Sequence, residues 1–216
     1  ESSQSERREL MKFNIRSFAL PLLVLTAPVS AWADGNSLGL FLEPMATYEL
    51  GSTSTNYPSP LRSSSGNIDG LGIGARVGFH FSEALFAGGD LRYSMPRFDD
   101  SSVNYNAKAV STNWGLVVGM QMPTIGLRVW GTYLLGGELN PEANSGLDVK
   151  FSRAQGYRVG AGFRVTAISL NLEYQVLRYD STTLEQLGPF ASGATLDGVV
   201  HENKSWLASV SFPLEL

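Results

Sequence analysis

Ten ionisable side chains recur in one pattern and could do chemistry together. Glu43, Glu49, Arg76, Asp90, Arg92, Arg128, Glu138, Arg158, Arg164 and Glu173 each occupy an alternate position within a segment whose intervening positions are apolar. Successive side chains of a strand point to opposite faces, so this set of five cations and five anions shares one face of a sheet. Isolated charges enclosed by protein are costly, whereas paired ones are tolerated. Two chemistries follow. A ring of such charges can form an ion-selective constriction. Alternatively, salt bridges can fill the interior and fix the register of the strands. Between neighbouring segments the expected pairs are Glu43–Arg76, Arg76–Asp90 and Arg158–Glu173.

Other chemical patterns lack their context. Gly35-Asn36-Ser37-Leu38-Gly39 has the spacing of a nucleophile elbow but no strand before it or helix after it. His201-Glu202-Asn203-Lys204-Ser205 begins like a zinc-protease motif and lacks the second histidine. Gly70-Leu71-Gly72-Ile73-Gly74-Ala75 sits inside an alternating segment, where a dinucleotide loop does not belong. A histidine, acid and serine at His201, Glu202 and Ser205 could act on lipid at a membrane surface. However, adjacent strand residues diverge, so His201 and Glu202 are expected on opposite faces. No catalytic residue, metal site or cofactor is assigned.

The elements that must position these groups are eight alternating segments between Leu38 and Leu214. In the clearest, Leu71, Ile73, Ala75, Val77, Phe79 and Phe81 alternate with Gly72, Gly74, Arg76, Gly78 and His80. Pro44 interrupts the first segment and predicts a bulge or break there. The connections alternate between long (52–69, 99–107, 140–149 and 180–199) and short (82–84, 122–124 and around Thr166). Periodicity alone does not say which face is inside. Three features favour an apolar exterior in lipid. The short turns all fall at one end, as in a membrane barrel. Aromatic residues of the apolar face, Tyr48, Tyr93, Tyr133, Tyr157, Tyr174 and Phe212, lie near segment ends as an interfacial girdle. Glycines crowd the charged face, leaving room for arginine in the narrow interior of a small barrel. That narrowness favours the salt-bridge plug over the constriction.

Composition agrees. The chain has 216 residues and no cysteine, so it has neither a disulfide framework nor a thiolate metal site. Residues 11–33 read as a secretory signal peptide. Lys12 and Arg16 precede the apolar run 18–25, and Ala31-Trp32-Ala33 supplies a cleavage site before Asp34. Residues 1–10 read as an upstream extension. From residue 34 on, 12 basic residues face 17 acidic ones, a net charge of −5 that offers no footprint for nucleic acid.

From the leader, the eight alternating segments and the loop pattern, the chain resembles eight-stranded bacterial outer-membrane barrels of the OmpA membrane-domain, OmpX and opacity-protein type. The resemblance covers about residues 37–216. Phe212, Leu214 and Leu216 resemble that family's C-terminal assembly signal but end in leucine rather than an aromatic residue and include Pro213. The resemblance implies an all-β, antiparallel up-and-down transmembrane barrel over 34–216 in a Gram-negative outer membrane, with both termini in the periplasm. It implies a monomer whose partners are the lipid bilayer, lipopolysaccharide and the outer-membrane assembly machinery. The expected role is non-enzymatic: membrane integrity and display of four outer loops, with an extracellular ligand or adhesion as a role for those loops. A narrow channel or carrier for small or apolar solutes is the alternative, and a lipid A-modifying enzyme the third. Loop 180–199, with Leu184, Leu187, Pro189, Phe190, Ala191 and Leu196, is unusually apolar and reads as a lid over the barrel mouth or, alternatively, as an adhesive surface.

Overall fold

A computed structural model describes residues 38–100, 105–144, 146–188 and 190–216. The leader, the upstream extension and most of the nucleophile-elbow match fall outside them. Alternating sequence becomes ten strands: β1 (Gly39–Asn56), β2 (Ser64–His80), β3 (Leu85–Asp100), β4 (Tyr105–Met122), β5 (Leu127–Pro141), β6 (Leu147–Val165), β7 (Ile168–Leu187), β8 (Phe190–Leu196), β9 (Val200–Ser211) and β10 (Leu214–Glu215). Strands β1 to β7 pair antiparallel in chain order, and β9 bonds both β7 and β1. The sheet therefore closes into an eight-strand ring, with β10 continuing β9 along β1 and β8 lying beyond β9 on β7.

The ring is inside-out relative to a soluble barrel. On β7, Ser169, Asn171, Glu173 and Gln175 are buried while Ile168, Leu170 and Leu172 are exposed. On β2, Leu71, Ile73, Val77 and Phe79 stand outside. An apolar belt of this extent needs a hydrocarbon solvent, and a closed sheet leaves no backbone edge unsatisfied there. The fold is a transmembrane β-barrel.

The short turns have local causes. Ser82 Oγ accepts from the amides of Leu85 and Ala84 at 3.1 and 3.3 Å. Gly126 takes a φ of +74° and its amide reaches Met122 O at 2.8 Å. Thr166 turns the β6–β7 hairpin at a φ of +57°.

The long connections are shorter than expected. β1 runs to Asn56 and β2 begins at Ser64, so much of 52–69 is strand. Likewise β5 ends at Pro141 and β6 begins at Leu147. Beyond the lipid the outer face turns polar, so the apolar period fades although the ladder continues. Segment 180–199 is a hairpin arm. β7 follows β9 as far as Tyr179↔His201 and then pairs with β8 from Thr182↔Leu196. Two residues of β7 there face four of the other chain segment, and Leu187 is 57% exposed.

The bulge expected at Pro44 is absent. Pro44 sits opposite Ala75 in unbroken register. The irregularity lies on the other side of β1, where ladder pairing lapses between Met45↔Ser211 and Leu42↔Leu214 without a register change. The carbonyl of Pro44 still accepts from the Phe212 amide at 3.0 Å. A true bulge occurs on β5, where Trp114 faces Gly136 while Gly115 faces Leu134.

Strand approach is closest where two glycines meet. A Cβ on Gly78 would lie 2.1 Å from the Ala87 carbonyl oxygen and 2.6 Å from the Gly88 Cα. Gly78→Ala is expected to cost about 1–3 kcal/mol through overpacking. The check is a lower urea midpoint for loss of the compact, heat-modifiable gel form.

Candidate functional site

The closed ring turns its charged face inward, and the bore is narrow enough for side chains to reach across it. Cross-strand register places Glu43 opposite Arg76, and Arg76 opposite Asp90. Arg76 donates from Nε to Asp90 Oδ2 at 2.9 Å and contacts Glu43 at 3.8 Å. Its Nη2 also reaches Glu173 on β7, across the bore. Arg92 holds Asp90 with two nitrogens, at 2.8 and 2.9 Å, and Glu173 Oε2 at 3.0 Å. Arg128 on β5 grips both oxygens of Glu43 on β1, at 2.8 and 2.9 Å. Arg158 on β6 donates to Asp90 on β3 at 2.8 Å.

Asp90 thus receives three arginines, and Glu173 receives two. Neutral groups complete the shell. Trp130 Nε1 donates to Glu173 Oε1 at 2.7 Å, and Ser211 Oγ to Glu43 Oε1 at 2.6 Å. Gln175 and Asn113 each accept from Arg158 Nη2 at 2.6 Å. The Arg76 guanidinium lies 4.3 Å from the Trp130 ring centre, a cation–π contact inside the bore. Glu43, Arg76, Arg158 and Glu173 are fully buried, and Asp90, Arg92 and Arg128 nearly so. Charge-assisted, bidentate contacts of this kind are the strong class of hydrogen bond. Each carboxylate lies within reach of a fixed cation.

Three expected placements change. Arg158 pairs with Asp90, not with its neighbour Glu173, because the bore lets it reach past the adjacent strand. Arg164 lies at the short-turn end, half in solvent, paired with Glu215 at 2.9 Å, and is not part of the central network. Glu138 points outward to Lys150 at 2.8 Å, because the β5 bulge reverses the parity and sends Leu139 inward. Glu49 does face inward. It accepts from Ser205 at 2.7 Å and Asn203 at 2.9 Å rather than from an arginine.

Aromatic layers close the network above and below. At the short-turn end, Phe41 meets His80 and Phe86 at ring distances of 5.0 and 5.8 Å. At the arm end, His201 stacks on Phe151 at 4.2 Å, with Phe98 and Tyr179 at 5.6 and 5.7 Å. Ile68, Leu134, Leu139 and Leu177 are fully buried in that same cluster. Sequence reasoning passed over these layers and the donor Trp130. Their inward parity was visible, but an apolar residue on a charged face carries no mark of being a stopper.

The histidine–acid–serine reading meets the geometry poorly. His201 is fully buried among rings and shares a 2.9 Å hydrogen bond with Thr55. Ser205 faces the same way but lies four residues, about 13 Å, further along the strand. Glu202 points out to Lys204 at 3.1 Å. Of the girdle residues, Tyr48, Tyr93, Tyr133, Tyr157 and Phe212 stand exposed outside, and Tyr174 leans on the outward Trp206 at 5.0 Å. Trp114 and Trp206 lie on the same outer face and had not been anticipated.

No family model and no curated protein matches the chain. Solved structures do. The outer membrane protein OprG from Pseudomonas aeruginosa is similar over 84% of this chain and 99% of its own, with a TM-score of 0.50 at 9% identity. Neisserial surface protein A matches 83% of this chain and 99% of its own, with a TM-score of 0.46 at 15% identity. At these identities the likeness is one of fold, that of bacterial outer-membrane barrels.

Removing Arg76 leaves Asp90 and Glu173 each one cation short in a buried setting. Arg76→Ala is expected to cost about 3–5 kcal/mol, as for a broken buried pair. Arg164→Ala, at a solvated rim, should leave the urea midpoint unchanged. Equal midpoints for the two variants would show that the bore network does not hold the barrel.

Proposed function

We propose that this eight-stranded barrel of the outer-membrane type is a non-conducting, non-enzymatic element of the bacterial outer membrane. Its short-turn end faces the periplasm and its strand arms stand outside, carrying the surface that other molecules meet. The observation that carries this reading is the set of ion pairs spanning the bore: Arg76 and Arg92 to Glu173, Arg128 to Glu43, and Arg158 to Asp90.

An ion crossing the membrane would have to displace these pairs and supply their charge itself. Conduction needs sites that bind weakly enough to release. Carboxylates already held by two or three guanidiniums offer no such vacancy. The ring layers at both ends oppose passage of water, since Phe41 and Phe86 below and Phe151 and Leu134 above are buried in van der Waals contact clusters. A non-enzymatic role is supported by the same packing. His201 lies beneath rings, and Ser205 is committed to Glu49.

Function then falls to the outside. The β7–β8 arm presents an exposed Leu187, and Arg178 and Asp180 form an outward pair at 2.8 Å on the same strand. Adhesion or ligand contact through these arms is the role assigned to them.

Planar-bilayer recordings of purified, refolded protein test the plug. The native chain should give no stepwise conductance. Arg92→Ala combined with Arg158→Ala, which strips two of the three cations from Asp90, should give openings. Regular unitary steps from the native chain would overturn the reading.

A further inference from the structure

One stretch of the lipid-facing wall is hollow. A trough of about 690 Å³ is walled by Phe79, Leu116, Val118, Tyr133 and Val159 and floored by Ala87 and Gly131. Its course follows one ladder row. Phe79 faces Ala87, Ala87 faces Val118, Val118 faces Gly131, and Gly131 faces Val159. The trough starts beside Phe81, next to the 82–84 turn, and climbs obliquely across five strands.

The glycine in its floor is not explained by the fold. Gly131 has no positive φ, and a Cβ built on it would meet nothing within 4 Å. Gly89, two positions beyond Ala87 on the same face, has only the Gly115 carbonyl oxygen nearby, at 4.0 Å. By contrast, Gly78, Gly88 and Gly156 are forced by backbone within 2.2 Å of the would-be Cβ. Glycine inside a strand weakens it, and where packing does not demand it, it marks close approach by a ligand. The missing side chains at Gly89 and Gly131 create the hollow.

We propose that this trough is a binding site for one acyl chain of a glycerophospholipid from the periplasmic leaflet. It opens directly onto the lipid-facing belt, so its neighbour is already lipid. Four steps between strands span about 19 Å. One leaflet of the hydrocarbon core is about 15 Å deep. An oblique run of that length, beginning at the short-turn end, suits a chain from that leaflet. The orientation rests on the reading above. The chain site itself does not depend on whether the bore conducts, and the two fail in different experiments.

Native mass spectrometry tests the site. The full chain would be refolded into vesicles of phosphatidylethanolamine with lipid A, extracted in mild detergent and weighed. The native protein should retain one phosphatidylethanolamine. Gly131→Leu fills the floor and should lower that occupancy about tenfold, the loss of contact with about two methylenes. Gly89→Leu is the second filling variant, and Ala208→Leu, on β9 outside the trough, should leave occupancy unchanged. Heat-modifiable gel mobility shows which variants are folded. Occupancy unchanged in every folded filling variant, retention of lipid A instead, a dimer seated there, or no retained lipid would each overturn the proposal.

Discussion

Hydrocarbon offers a backbone no hydrogen-bond partner, so the bonds that β9 makes to both β1 and β7 determine everything else about this molecule. Closure at eight strands sets a bore just wide enough for side chains to fill. It also settles the direction of every residue in the wall. Apolar side chains are sent to the lipid, and whatever alternates with them is shut inside. The charged residues are therefore not placed for reactivity alone. They are the inward half of a period of two, and a narrow bore obliges them to neutralise one another.

That obligation shapes the interior. Asp90 and Glu173 are hubs, and their cations come from β2, β3 and β6. Such contacts tie together strands that never touch in the sheet. Buried ion pairs of this kind add little net stability over an apolar filling, because desolvation offsets much of the attraction. What they do impose is a unique arrangement, since slipping one strand by a single residue would turn its charge into lipid. Trp130 serves two purposes here, donating to Glu173 and lying under Arg76.

Much of this was legible in the amino-acid sequence, and the misses have physical causes. Parity alone separated Leu71, Ile73 and Val77 from Arg76, and short turns at one end identified the kind of solvent. Parity fails across an irregularity, which is why Glu138 was expected inside. The β5 bulge reverses the faces just before it, and two adjacent glycines, Gly136 and Gly137, were its only signal. Pairing partners were sought on adjacent strands, whereas Arg158 and Arg128 reach across the bore, a distance no linear pattern encodes. The strand arms were read as loops because, outside lipid, nothing requires Ser52, Ser54 or Asn67 to be apolar while the ladder continues.

The two prolines near the seam carry a consequence for the order of events. Pro44 of β1 and Pro213, between β9 and β10, occupy the stretch where ladder pairing lapses. Neither has an amide hydrogen to contribute. The junction that joins the last part of the chain to the first is thus the most sparsely bonded stretch of the wall, held there by Phe212 to Pro44 and by Leu216 to Leu40. Every other junction joins strands that are neighbours along the chain, so each can zip from its own turn. This one must wait for the whole chain to arrive and then close with fewer bonds. It is the natural last stitch of assembly, and the first place where the cylinder would part under load.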